Sequence, residues 1–143
     1  MVEQAQERAA QGCRQVTGYI LVFLGAGLGG ALRHAVNVGG GRMFGTGFPW
    51  ATLAVNVVGS FLMGGLAAWL ALKAGHGWSQ PVRLFLATGV LGGFTTFSAF
   101  SLDAMLLWER GDMWPALFYA GGSVLLSIAA LAVGLGLARA MAA

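Results

Sequence analysis

Charge is what this sequence has least of. Of its 143 residues, 8 are Lys or Arg and 5 are Asp or Glu, whereas 57% are hydrophobic and the mean hydropathy is +0.75. A soluble domain needs much more charged and polar surface than this. The composition therefore excludes a soluble enzyme and predicts a single integral membrane domain.

Cysteine, histidine and clusters of basic residues are also scarce. Cys13 is the only cysteine, which excludes an intrachain disulfide and a thiolate metal centre. The two histidines, His34 and His76, stand alone and are expected at interfaces or in loops. The basic residues are scattered through termini and loops, so a net charge of +3 indicates no nucleic-acid-binding surface.

Four long runs without charge are present instead. They lie between Arg14 and Arg33, Arg42 and Lys73, Arg83 and Asp103, and Asp112 and Arg139. Each approaches or exceeds the roughly 18 to 20 residues that cross a bilayer as a helix. The sequence therefore predicts an all-α fold with four transmembrane helices at 17–38, 49–72, 82–107 and 115–138, preceded by a polar N-terminal segment at 1–16. No cleavage signal follows a short apolar core, so the first span is expected to stay in the mature protein.

The third run contains residues that a continuous membrane helix avoids. Gly92-Gly93-Phe94-Thr95-Thr96 combines paired glycines with hydroxyls that redirect backbone hydrogen bonds. We expect the third helix to break near 92–96. Non-helical backbone at membrane depth is tolerated only where protein or a water-filled cavity covers it, so the break is a candidate functional site.

The same stretch carries a long motif. The run Gly92-Gly93-Phe94-Thr95-Thr96-Phe97-Ser98-Ala99-Phe100-Ser101, followed closely by Asp103, closely resembles the signature of the bacterial fluoride channels, the Fluc or CrcB family. One departure is visible, because that family more often has glutamate at the position of Asp103. The resemblance covers essentially the whole chain and implies a bacterial inner membrane location.

Polar residues form a stripe on each of two other spans. Thr52, Asn56 and Ser60 follow the spacing i, i+4, i+8 on the second, and so do Tyr119, Ser123 and Ser127 on the fourth. Each stripe alone is also explained by hydrogen bonds between helices. Two stripes together with a broken helix are better explained by a lined path through the membrane.

The chemistry of this path favours an anion. It offers hydroxyl and amide donors and the electropositive edges of phenyl rings, and no carboxylate lies inside the four charge-free runs. A small, strongly hydrated anion needs dense hydrogen-bond donation to replace its water shell. The residues alone do not separate fluoride from chloride, and the resemblance implies fluoride.

An alternative is a small multidrug-type proton-coupled antiporter, which is also short, four-spanning and dimeric. Such an antiporter requires a membrane-embedded acidic residue in its first span, and Gly18 to Leu32 contains none. A third interpretation is a non-transporting helical subunit, in which the polar stripes would serve packing alone.

The resemblance implies further details. The protein is expected to be an antiparallel, dual-topology homodimer in membrane lipid, with two pores through which fluoride leaves the cytoplasm passively. Residues that would line each pore are Asn56, Phe97, Phe100, Tyr119, Ser123 and Ser127. Backbone carbonyls of Gly92 and Thr95 from both subunits would hold a structural sodium ion.

Two basic features leave alternatives open. Arg33 resembles the arginine that closes the glycine-rich first helix of the family, and it either attracts anions to a pore entrance or extends to the membrane interface. The charge bias between the two membrane sides is small. It is compatible with insertion in both orientations and does not prove it.

Overall fold

The structure is a computed structural model that describes residues 1–73 and 76–142. Within those residues, four helices are long and apolar enough to cross a membrane. The first helix is Val2–Phe44, the second helix is Trp50–Leu72, the third span is Ser79–Glu109 and the fourth helix is Met113–Ala140. The predicted all-helical, four-span architecture is confirmed.

The first helix is much longer than a membrane requires. It has 43 residues and is continuous from Val2, which corresponds to about 65 Å of helix against a hydrocarbon core of about 30 Å. The segment predicted as a polar N-terminal region, 1–16, is the beginning of this helix. Its Gln, Ala, Glu and Arg residues are strong helix formers, which explains why it continues the span without a break.

Glycines hold the first helix against the third span. A Cβ added at Gly25 would lie 2.5 Å from the Phe85 carbonyl oxygen, and one at Gly93 would lie 2.5 Å from the Ala26 carbonyl oxygen. No side chain fits at these positions, so the two backbones are in direct contact. A Cβ at Gly29 would likewise overlap the Val90 carbonyl. Gly25 and Gly29, four residues apart on one helical face, therefore permit close helix approach.

The second and fourth helices also meet through glycine. A Cβ at Gly64 would overlap the Leu131 carbonyl, and one at Gly134 would overlap the Phe61 carbonyl. These two helices are the ones that carry the polar stripes. Their backbone contact therefore brings both stripes to the same region of the bundle.

The third span is interrupted near its middle. Its four helical segments are Ser79–Val82, a π-helical stretch Arg83–Leu91, Gly92–Phe94 and Phe97–Glu109. Thr95 and Thr96, between the last two segments, are extended, with φ/ψ of −75°/157° and −154°/117°. Thr96 Oγ1 accepts the Ala99 N–H at 3.2 Å and so caps the last segment.

Candidate functional site

Asn56 of the second helix fills the gap in the third span. Its side-chain amide donates to the Thr96 carbonyl at 3.0 Å, and its Oδ1 accepts the Thr96 N–H at 2.8 Å. Both backbone groups of Thr96 are thereby satisfied where the helix cannot satisfy them. The amide matches the donor and acceptor of one peptide unit, which is why an asparagine suits this position.

Two backbone carbonyls lose their helical donors at the break. The Thr96 N–H, which a continuous helix would direct to the Gly92 carbonyl, goes to Asn56 instead. The Ala99 N–H, the corresponding donor for the Thr95 carbonyl, goes to Thr96 Oγ1. Both carbonyls that the family resemblance implies as cation ligands are therefore released from regular helical pairing.

The hydroxyls around the break are directed elsewhere. Thr95 Oγ1 donates to the Leu91 carbonyl at 2.9 Å, Ser101 Oγ donates to the Phe97 carbonyl at 2.9 Å, and Thr96 Oγ1 lies 3.3 Å from Ser98 Oγ. None of these bonds reaches the Gly92 or Thr95 carbonyl. Gly92 is also exposed on the outside of the bundle.

A hard, oxygen-coordinated cation fits this setting better than a transition metal. Among the described residues, no group of three or more His, Cys, Asp or Glu side chains could hold a metal ion. Released carbonyls are neutral oxygen ligands, which suit a cation of low charge.

A cavity of about 310 Å³ lies beside the break. It collects five of the six residues predicted to line a pore, together with parts of both polar stripes and of the third span. Its lining consists of Asn56, Ser60, Thr95, Thr96, Phe97, Phe100, Ser123, Val124, Ser127 and Ile128.

Ser123 contributes a buried, unpaired hydroxyl to the lining of this cavity. Its side chain is only 4% exposed, yet within the described part of the chain its Oγ has no hydrogen-bond partner. A buried hydroxyl left unpaired costs roughly 1–3 kcal/mol. Retaining such a group is consistent with a ligand that completes its hydrogen bonding.

The two predicted phenylalanines differ sharply in burial. Phe100 is 9% exposed, whereas Phe97 is 77% exposed, and their ring centroids are 5.3 Å apart. Phe100 belongs to the packed core of the subunit. Phe97 presents most of its ring to the outside of the bundle.

The structure places Tyr119 apart from this cavity. Its ring is buried between Phe48 and Phe100, with centroid distances of 5.5 and 5.4 Å. Its hydroxyl donates to Asp103 Oδ2 at 3.3 Å. Tyr119 therefore joins the fourth helix to the third span through Asp103.

Asp103 was predicted only as part of the motif and not as a residue that lines a cavity. It lines a second cavity of about 250 Å³ with Thr52, Phe48 and Arg110. The sequence does indicate its position. Phe97, Phe100 and Asp103 are spaced three residues apart, which places all three on one helical face.

Arg33 is not brought to these residues. It is half-buried on the first helix and lines neither of the two cavities. Its predicted place at a pore entrance therefore gains no support from the arrangement of a single chain.

Comparison with known proteins gives a consistent result. The profile of one protein family, described as "CrcB-like protein, Camphor Resistance (CrcB)", matches residues 20–135. A protein of Rhodopseudomonas palustris named "Fluoride-specific ion channel FluC" is 58% identical over 123 residues, which are 86% of this chain and 98% of the relative. A protein of Mesorhizobium japonicum with the same name is 52% identical over 122 residues, 85% of this chain and 96% of the relative.

Proposed function

The chain belongs to the CrcB family, which confirms the resemblance carried by its motif, and on that premise we propose that it is a fluoride-selective channel. It is a multi-pass protein of the bacterial inner membrane. In this proposal fluoride leaves the cytoplasm passively, which lowers its toxic concentration inside the cell.

The unpartnered Ser123 hydroxyl in the cavity is the observation that carries the proposal. A free hydroxyl donor in a cavity without a carboxylate in its lining can hydrogen-bond an anion. Ser127 and Asn56 line the same space, and the rings of Phe97 and Phe100 close one side of it. Ring edges carry partial positive charge and so favour the anion as well.

Selectivity for fluoride follows from the size and hydration of the ion. Fluoride binds water strongly, so the path must replace its water shell with donors at close range. Chloride is larger and would have to pass the same lining of donors and ring edges. Tyr119 contributes indirectly here, because its hydroxyl is held by Asp103 while its ring supports Phe100.

We further propose that the channel is an antiparallel homodimer with two pores. The 77% exposure of Phe97 and the exposure of Gly92 support this, because both lie at the break, on the outside of one subunit. A second copy would cover the outward face of Phe97 and complete the wall of each pore. The small charge bias between the two ends is compatible with opposite orientations.

The carbonyls of Gly92 and Thr95 from both subunits would hold a structural sodium ion. Release of both carbonyls from regular helical pairing supports this assignment. The ion would neutralise converging carbonyl dipoles and so stabilise the subunit contact, without itself being transported.

Fluoride efflux from liposomes that contain only this protein tests the proposal, with chloride efflux measured in parallel. We expect fluoride release with chloride retained, and comparable chloride flux would overturn the assignment. Replacing sodium by a large organic cation tests the ion separately. Loss of the dimer or of flux supports the sodium site, whereas an unchanged dimer with full flux removes it and leaves the channel proposal standing.

A further inference from the structure

Three grooves meet at the end of the bundle where the third span begins. Arg14 lines two adjoining grooves of about 400 and 600 Å³, and Arg83 lines a third of about 450 Å³. Gln80 contributes to all three. Arg14 and Arg83 therefore line neighbouring grooves that share Gln80.

The other walls of these grooves, toward the middle of the membrane spans, are apolar. Leu84 lines both grooves of Arg14, with Leu21 in one and Val22 in the other, while Met63 and Leu70 line the groove of Arg83. These residues belong to membrane-spanning helices. The grooves thus lie along the bundle where hydrocarbon chains of the bilayer lie.

Two tryptophans mark the depth of this end. The rings of Trp69 and Trp78 are 5.3 Å apart, and each side chain is 41% exposed. Paired, partly exposed tryptophans are typical of the membrane–water interface. Arg14, Gln80 and Arg83 therefore lie near the level of lipid headgroups.

The charge around the grooves has one sign. In the part of the chain that the structure describes, no carboxylate lines any of the three grooves. The opposite end of the bundle differs, because Arg110 shares its cavity with Asp103 and its Nε already donates to the Leu106 carbonyl. An anionic group would be repelled by Asp103 there, whereas the charged residues that line the three grooves are Arg14 and Arg83 alone.

We propose that this end binds an anionic phospholipid. Its phosphate is bound by Arg14 and Arg83 on either side of Gln80, and its acyl chains lie in the apolar grooves. Guanidinium groups suit phosphate because they donate two parallel hydrogen bonds to it. The site is independent of which ion the channel conducts, so its test stands apart from the efflux measurement.

Native mass spectrometry of the delipidated, full-length protein in a neutral detergent tests the proposal. We expect phosphatidylglycerol added to this protein to stay bound in the spectrometer and added phosphatidylcholine to be lost. Arg14→Gln and Arg83→Gln should each weaken phosphatidylglycerol binding about fivefold, as expected for one basic residue near an anionic headgroup. Arg139→Gln is the matched control, because Arg139 lies in the last turn of the fourth helix at the same end and lines none of these grooves.

Three results would overturn the site. An equal loss of binding in Arg139→Gln would show a general effect of surface charge. Displacement of the lipid by excess inorganic phosphate would show a site for a free anion. Dissociation of the dimer by Arg14→Gln or Arg83→Gln, with lipid retention unchanged, would show that a second copy of the chain covers the grooves.

Discussion

The polar stripes of the second and fourth helices have the same spacing but different surroundings. On the second helix, both polar groups of the Asn56 amide are bonded to the backbone of Thr96. On the fourth helix, Ser123 is more deeply buried than Asn56, and its hydroxyl has no partner among the described residues. The first arrangement supports the broken backbone, while the second leaves a donor free for a guest.

This difference separates scaffold from binding surface within one cavity. A satisfied polar group stabilises the fold, and its loss should damage stability and transport together. An unsatisfied buried group costs stability, so its removal should damage transport alone. Measuring both flux and melting temperature therefore assigns each side chain to one role.

Asn56→Asp should have the largest effect. The carboxylate lacks the N–H donor for the Thr96 carbonyl and adds a negative charge beside an anion path. We expect fluoride efflux from liposomes to be abolished and the unfolding free energy to fall by on the order of 3 kcal/mol.

Ser60→Asp is the matched control for Asn56→Asp. Ser60 lies one turn further along the second helix and lines the same cavity. It brings the same charge without removing the bonds to Thr96, so flux should fall while the melting temperature falls less than in Asn56→Asp. A wild-type rate in Asn56→Asp would show that the amide serves only helix packing.

Phe97→Ile and Phe100→Ile should each lower flux sharply, because isoleucine keeps apolar bulk and removes the polarised ring edge. The two variants should differ in their stability against unfolding. Phe100 is 9% exposed and packs on Tyr119, so its replacement should cost about 1 kcal/mol. Phe97 is 77% exposed, and its replacement should leave the melting temperature of the subunit unchanged.

Efflux assays, thermal melts and light scattering of the same preparations check these two variants. Light scattering should show an intact dimer in both. Unchanged fluoride rates with both rings replaced would assign the rings to packing.

Ser123→Ala should lower flux several-fold without abolishing it, since Ser127 and water remain as donors. The melting temperature should stay constant or rise, because alanine removes an unpaired buried hydroxyl. A lower melting temperature with normal flux would contradict the binding role and indicate a structural one.

Ser60→Ala should have the smallest effect. Ser60 is half-buried at the end of the polar stripe on the second helix, and the bonds of Asn56 do not involve it. We expect flux close to wild type and a stability change within about 0.5 kcal/mol. A loss of flux as large as that of Ser123→Ala would remove the distinction between the two stripes.

The sequence was sufficient for the broad architecture and for the position of the break. Charge-free runs long enough to cross a bilayer identify spans directly, and Gly92-Gly93 with Thr95 and Thr96 identifies the interruption. The helical residues before the first span escaped prediction, because bilayer thickness sets the minimum length of a helix and not its end.

Pairings between distant residues were beyond the sequence. Asn56 and Thr96 are 40 residues apart, and the i, i+4 pattern fixes the face of Asn56 but not its partner. The same limit applies to Tyr119, which the pattern placed beside Ser123 while its hydroxyl reaches Asp103. Only packing between helices decides which polar groups are already satisfied.

Because the first helix extends beyond its membrane span, the orientation of the chain in a membrane can be measured chemically. Its residues before the span carry Cys13, which is exposed and is the only thiol in the chain. With an even number of spans, this thiol reports the side on which both termini lie. A membrane-impermeant maleimide added outside intact vesicles would label about half of the chains in a population inserted both ways, and all or none in a uniform one. The native protein thus carries its own chemical reporter of orientation, with no added cysteine needed.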